Sequence, residues 1–101
     1  MRSEVKALIN LGSLPREREA TVSQLQAIEA AYKAISRPVS NEEARALIVL
    51  FGEDGCFGLA SALMHLIETA PDWPLVDCLR NSSNPWLVEL RERAVRGGYS
   101  V

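Results

Sequence analysis

The stretch Cys56–Ala70, CFGLASALMHLIETA, decides how this chain folds. Phe57, Leu59, Ala60, Leu63, Met64, Leu66 and Ile67 leave it almost no polar side. A helix that is apolar nearly all round is buried, so this segment is expected to be the central helix. Pro71 ends it. Gly58, Ser61 and His65 interrupt it, and nowhere does the chain reach the roughly 18 apolar residues of a membrane span.

Outward from that segment the punctuation is helical. On the N-terminal side, Ser40-Asn41-Glu42-Glu43 is a capping box, serine first and glutamate three residues later. It opens a helix with Ala44, Leu47, Ile48 and Phe51 inward and Gly52 as its C-terminal cap. Glu53-Asp54-Gly55 then makes a turn. Thr21 with Gln24 is a second capping box, and its helix carries Val22, Leu25, Ile28, Tyr32 and Ile35 in one stripe. Pro38 disfavours helical geometry at Arg37, so this helix should stop near Ser36. A first short helix, about Ser3 to Leu11, points Val5, Leu8 and Ile9 inward and stops at Gly12. Ser13–Ala20 reads either as a loop or as a helix begun by Pro15.

On the C-terminal side, Asp72-Trp73-Pro74 reads as a helix start, with Asp72 as cap and Pro74 in the first turn. Leu75, Val76 and Leu79 belong to that short helix. Asn81-Ser82-Ser83 is a loop. Asn84-Pro85 opens the last helix, with Leu87, Leu90 and Ala94 inward and Gly97-Gly98 at its end. The second and third helix pairs start about 32 residues apart, a spacing in the range of helical-hairpin repeats.

Composition excludes several classes. The chain has 101 residues, 48% hydrophobic and 24% charged, which suits one globular domain and not a disordered segment. Eleven basic against thirteen acidic residues give a net charge of −2, contrary to the basic balance of a nucleic-acid binder. The N-terminus, Met1-Arg2-Ser3-Glu4-Val5-Lys6, is no signal peptide, so a cytoplasmic location is expected. Cys56 and Cys78 are then free thiols acting as small hydrophobes. One His and two Cys are too few for a zinc cage, and no metal or cofactor is expected.

Ser61, His65 and Glu68 fall on one helix face and are the residue types of a hydrolase triad. Ser61, however, lies mid-helix without the strained turn and oxyanion hole a nucleophile needs. The three are expected to form a narrow polar strip, and no catalytic residue is assigned. Gly52, Gly55 and Gly58 lack the strand and the Lys-Ser/Thr of a phosphate loop. They are expected to end a helix, make a turn and allow close packing of the Cys56 helix, respectively. Trp73 and Trp86, each beside a proline, are either plugs between helical pairs or interface anchors.

Charge is segregated. Residues 1–40 hold six bases and four acids, residues 80–101 four bases and two acids. Residues 41–79 hold one base, Arg45, and seven acids: Glu42, Glu43, Glu53, Asp54, Glu68, Asp72 and Asp77. This pattern fits either a solvated face with helix caps or an acidic face that steers a basic protein partner. The candidate partner-binding residues are Glu53, Asp54, Asp72, Trp73 and Asp77. A fifteen-residue helix is about 22 Å long, beyond a Debye length of roughly 8 Å, so Glu53/Asp54 and Asp72/Asp77 are expected to form two acidic ends. Of these, the Asp72/Asp77 end is favoured because Trp73 adds an aromatic anchor.

Leu75–Val95 resembles a HEAT-type repeat: the apolar PLVDCL, an Asn/Ser loop, Asn84-Pro85, and LVELRERAV with Arg91-x-x-Ala94. That likeness spans about a fifth of the chain. The chain also resembles small bacterial immunity proteins that neutralise secreted toxins, through LFGEDGCFGL, HLIETAPDWPLVDCL and the final RGGY. The resemblance implies no catalytic motif and carries over no site residue. The expected fold is a single all-α domain over residues 1–101, with 97–101 a flexible tail. It has five or six short helices in antiparallel pairs, as a compact bundle or a short HEAT-like stack. The expected function is non-catalytic protein binding, most concretely toxin neutralisation through an acidic surface. The alternative is a helical-repeat adaptor or a homo-oligomer.

Overall fold

The computed structural model describes residues 1–79 and 84–99. Its regular elements, among those residues, are all helical: α1 Ser3–Asn10, α2 Val22–Lys33, α3 Asn41–Leu47, α4 Leu59–Ile67, α5 Val76–Leu79 and α6 Pro85–Arg96. A 3-10 turn, Ile48–Leu50, continues α3. The expected Asn81–Ser83 loop lies outside the described residues. The all-α expectation therefore holds, with six helices.

Both capping boxes form. The Thr21 hydroxyl accepts from the Gln24 N–H (3.1 Å), and the Gln24 side chain accepts from the Thr21 N–H (2.9 Å). Ser40 and Glu43 repeat the exchange at 3.0 and 2.8 Å. Asn84 caps α6 by accepting from the Trp86 N–H, with Pro85 at the first helical position. The far end of α6 closes as a Schellman motif: Gly98 donates to the Val95 carbonyl and Tyr99 to that of Ala94, with Gly98 at φ +91°. Residues 97–99 are thus tied to the helix, and 100–101 lie outside the described residues.

Several local readings are corrected. The Cys56 helix starts only at Leu59; Cys56–Gly58 instead make a left-handed turn, with φ of +45°, +54° and +89°. Asp72 caps no helix, because α5 begins at Val76 and has four residues. Ser13–Ala20 contains no helix, only a turn in which the Arg16 carbonyl accepts from Glu19 and Ala20. Val22, at the first position of α2, is exposed and outside the inward stripe. Two glycines exchange roles. Gly52 is needed for space, because a Cβ there would overlap the Leu14 carbonyl oxygen. Gly58 is needed for its backbone, at φ +89° with open space around it.

The core runs through every helix except that its centre is α4, as expected: Ala60, Leu63, Met64, Leu66 and Ile67 are all buried. Val5 and Leu8 meet it from α1, Ile28 from α2, Leu47 from α3, Leu79 from α5 and Leu90 from α6. Helices contact each other as the pairs α1/α2, α3/α4 and α5/α6, and across pairs as α1/α3 and α4/α6.

Several hydrogen bonds between the second and third pairs share a similar sequence offset. Val39 donates to Thr69, Asn41 pairs with Asp72, Arg45 with Asp77 and Trp86 with Asp54, at separations of 30, 31, 32 and 32 residues. From the first pair to the second, Arg2–Ser36, Arg16–Glu53 and Glu17–Asp54 are separated by 34, 37 and 37. In these contacts earlier residues meet earlier partners and later residues later ones, so matching ends of successive hairpins lie together. Residues 14–17 and 50–57, in the connections within the first two hairpins, gather with the start of α6, residues 84–86, at one end of the stack. Those between hairpins, residues 36–43 and 69–72, gather with Arg2 at the other.

Candidate functional site

The hairpin end is organised by carboxylates that hold backbone. Asp54 Oδ1 accepts from the Cys56 N–H (3.0 Å), and its Oδ2 from the Glu17 N–H (3.0 Å). Glu17 Oε1 in turn accepts from the Phe57 N–H at 2.9 Å. The Gly58 N–H closes the turn on the Gly55 carbonyl at 3.1 Å. Trp86 locks the loop from the third hairpin: its Nε1 donates to the Asp54 carbonyl (3.2 Å), and its ring stacks on Phe51 with centroids 6.2 Å apart. Trp86 is therefore a plug between hairpins.

This scaffold points Phe57 into water, 62% exposed. The sequence reading had it inward on a helix. Left-handed backbone at Cys56 and Phe57 is costly for residues with a Cβ, and here it buries the Cys56 side chain completely while turning the next one out. The segments that hold this loop, residues 16–19 and 53–54, carry an excess of acid. Arg16 bonds Glu53 at 2.6 Å and lies 3.8 Å from Glu19. Glu17, Glu19, Glu53 and Asp54 thus exceed Arg16 and Arg18 by two charges.

Asp72, Trp73 and Asp77 are arranged differently. Asn41 donates to Asp72 Oδ2 at 2.7 Å and accepts from the Asp72 N–H at 3.0 Å. One helical turn on, Arg45 grips Asp77 at 3.3 and 3.2 Å and holds its carboxyl below the ordinary range. Trp73 is half-buried against the core. The structure does not bring these three together with Glu53 and Asp54: one group packs on α3, the other on residues 16–17 and Trp86.

Most of the charge segregation resolves into internal pairs. Glu43, Glu53, Glu68 and Asp77 find Arg2, Arg16, Arg93 and Arg45. Among the described residues no base pairs with Glu42, Asp54 or Asp72. Of these four, the Arg2–Glu43 pair has the most buried carboxylate. The buried carboxylate of Glu43 accepts from the Arg2 N–H, Nε and Nη2 at 3.0–3.1 Å and from the Ser40 N–H at 2.8 Å. The Arg2 side-chain hydrogen bonds, against the opposing desolvation, hold its pKa at about 2. Arg2 also donates to Ser36 Oγ at 2.9 Å, so one residue ties α1, the α2–α3 connection and α3 together.

In the Ser61–His65–Glu68 strip the acid is turned toward α6. Both Glu68 oxygens are taken by Arg93, at 2.9 and 2.8 Å, while His65 Nδ1 stands 3.6 Å away. Cys56 and Cys78 are free thiols, and burial pushes both pKa values up, away from nucleophilic thiolate. Among the described residues no group of three His, Cys, Asp or Glu side chains is placed to hold a metal, and no helix is long and apolar enough to cross a membrane. Arg91 donates to the Leu79 carbonyl through Nε (3.1 Å) and Nη2, closing α5 onto α6.

No protein-family model, curated protein or solved structure matches the chain. Arg16, Glu17 and Phe57 are the site residues that sequence reasoning missed. The signal was Gly55-Cys56-Phe57-Gly58, in which two glycines three apart bracket a turn that apolar content alone had extended into helix.

Proposed function

We propose that the chain is a non-catalytic protein-binding protein, in concrete form a bacterial immunity protein that occludes a basic toxin in the cytoplasm. Nucleic acid, membrane and cofactor have no part in this reading. The observation that carries it is the hairpin end of the stack, where internal ion pairing leaves carboxylates in excess around an exposed loop. Glu53 and Asp54 are the relevant acids from the sequence reading. Asp72 and Asp77, engaged with Asn41 and Arg45, and the packed Trp73 are secondary. Complementary charge at such a surface speeds encounter and rejects acidic partners.

The test is capture of the partner from the native host with the tagged chain. The captured protein should be basic, should arrest growth when expressed alone, and should be silenced by this chain. Reversing two exposed acids, Glu19→Lys with Glu53→Lys, should slow association about tenfold at low salt, with the difference shrinking at high salt. Unchanged association at both salt concentrations removes this surface from the interface. The contacts between successive helix pairs at offsets of 30–32 residues favour a second reading, a helical-repeat adaptor or homo-oligomer. Self-association without a captured toxin would select it.

A further inference from the structure

We propose that Phe57 is the anchor of this surface, its ring entering an apolar cleft rimmed by lysine or arginine on the partner protein. The inference rests on the protein-binding reading above and names the residue and the cleft chemistry. Phe57 lies at φ 54°, ψ 36°, a left-handed conformation that glycine adopts freely and a phenylalanine does not. Three hydrogen bonds hold the turn there, from the Cys56, Phe57 and Gly58 N–H groups to Asp54, Glu17 and Gly55. The free chain gains little from this, because the ring is 62% exposed. Glycine would occupy the position without strain. An aromatic side chain held rigidly in water loses little conformational freedom on docking, and aromatic residues dominate interface hot spots. The carboxylates that fix the turn, Asp54 and Glu17, lie on the same loop as the ring and give it an acidic setting, so the complementary cleft is apolar inside and basic at its rim. Trp73 lacks this disposition, being half-buried against the core.

The experiment places the photo-crosslinker p-benzoylphenylalanine at position 57 of the full chain or, as control, at position 95, another exposed apolar position. Dissociation of the captured complex is then measured for Phe57→Ala and Phe57→Gly. The expected result is crosslinking of a basic partner from position 57 and not from 95. Both variants should dissociate at least about tenfold faster, with association within about twofold of the parent. Equal crosslinking from both positions, crosslinking only to a second copy of this chain, an acidic partner, or unchanged dissociation overturns the proposal. If Phe57 variants dissociate normally while Glu19→Lys with Glu53→Lys slows association, the anchor fails and the protein-binding reading stands. If no partner is captured at all, both fall.

Discussion

The two ends of the hairpin stack use carboxylates in opposite ways. At the connection end, Glu43 is 2% exposed, accepts four hydrogen bonds and faces one arginine that ties three segments together. The Arg2–Glu43 contacts there serve the stability of the fold. At the hairpin end, Glu17 and Asp54 bond backbone N–H groups and force a left-handed turn that exposes Phe57. Strain of this kind persists where surrounding structure over-determines it, and it concentrates at functional sites. The comparison teaches where to look for function: at the end whose interactions oppose local stability.

The largest expected effect lies in α4, which spans both ends. Leu63→Ala should cost roughly 2–5 kcal/mol, a large part of the 5–15 kcal/mol available to such a domain. An unchanged melting curve would mean that α4 is not the shared core and that the ends are independent. At the connection end, Glu43→Ala should cost about 2–3 kcal/mol, because it leaves the capping and Arg2 donors without their charged acceptor.

The same carboxylate sets a pH dependence. Its folded pKa, about 2, lies below the ordinary 4.5. The unfolded chain therefore binds its proton first as pH falls, and the stability Glu43 contributes is complete above about pH 4.5 and lost on the way to pH 2. Denaturation midpoints followed from pH 6 to pH 2 should decline over that window. In Glu43→Gln the decline should be shallower, and an identical profile would refute the assignment. The smallest effect is expected for Arg45→Ala. The Arg45–Asp77 pair is exposed and solvent-screened, so the variant should melt within the scatter of the parent. A clear loss would show that the α3–α5 contact contributes to stability as the connection end does.

Much of this fold is legible locally. Thr21/Gln24, Ser40/Glu43 and Asn84/Pro85 announce helix starts through their own side chains, and all three form. The 32-residue spacing of the hairpins reappears as the offset at which they touch. What stayed hidden depends on partners distant in sequence. Glu43 reads as a cap until Arg2, 41 residues away, folds onto it. Gly52 reads as a helix end until Leu14 packs against it. Phe57 reads as core because apolar periodicity records composition, whereas the carboxylate of Glu17, 40 residues earlier, decides its backbone. The acidic middle reads as a surface until three flanking arginines fold back on Glu43, Glu53 and Glu68 and Arg45 within it pairs with Asp77, which neutralises four of its seven acids.

The claim that the hairpin end holds strain is tested most directly by comparing Phe57→Gly with Phe57→Ala in equilibrium urea denaturation. Both variants lose the same ring, so their difference isolates the backbone. At ordinary positions alanine is the more stable of the two, because glycine gains more entropy on unfolding. At a left-handed position the order inverts, and Phe57→Gly should be more stable than Phe57→Ala by about 0.5–1 kcal/mol. A more stable alanine variant would mean that the turn is unstrained, and would contradict the account.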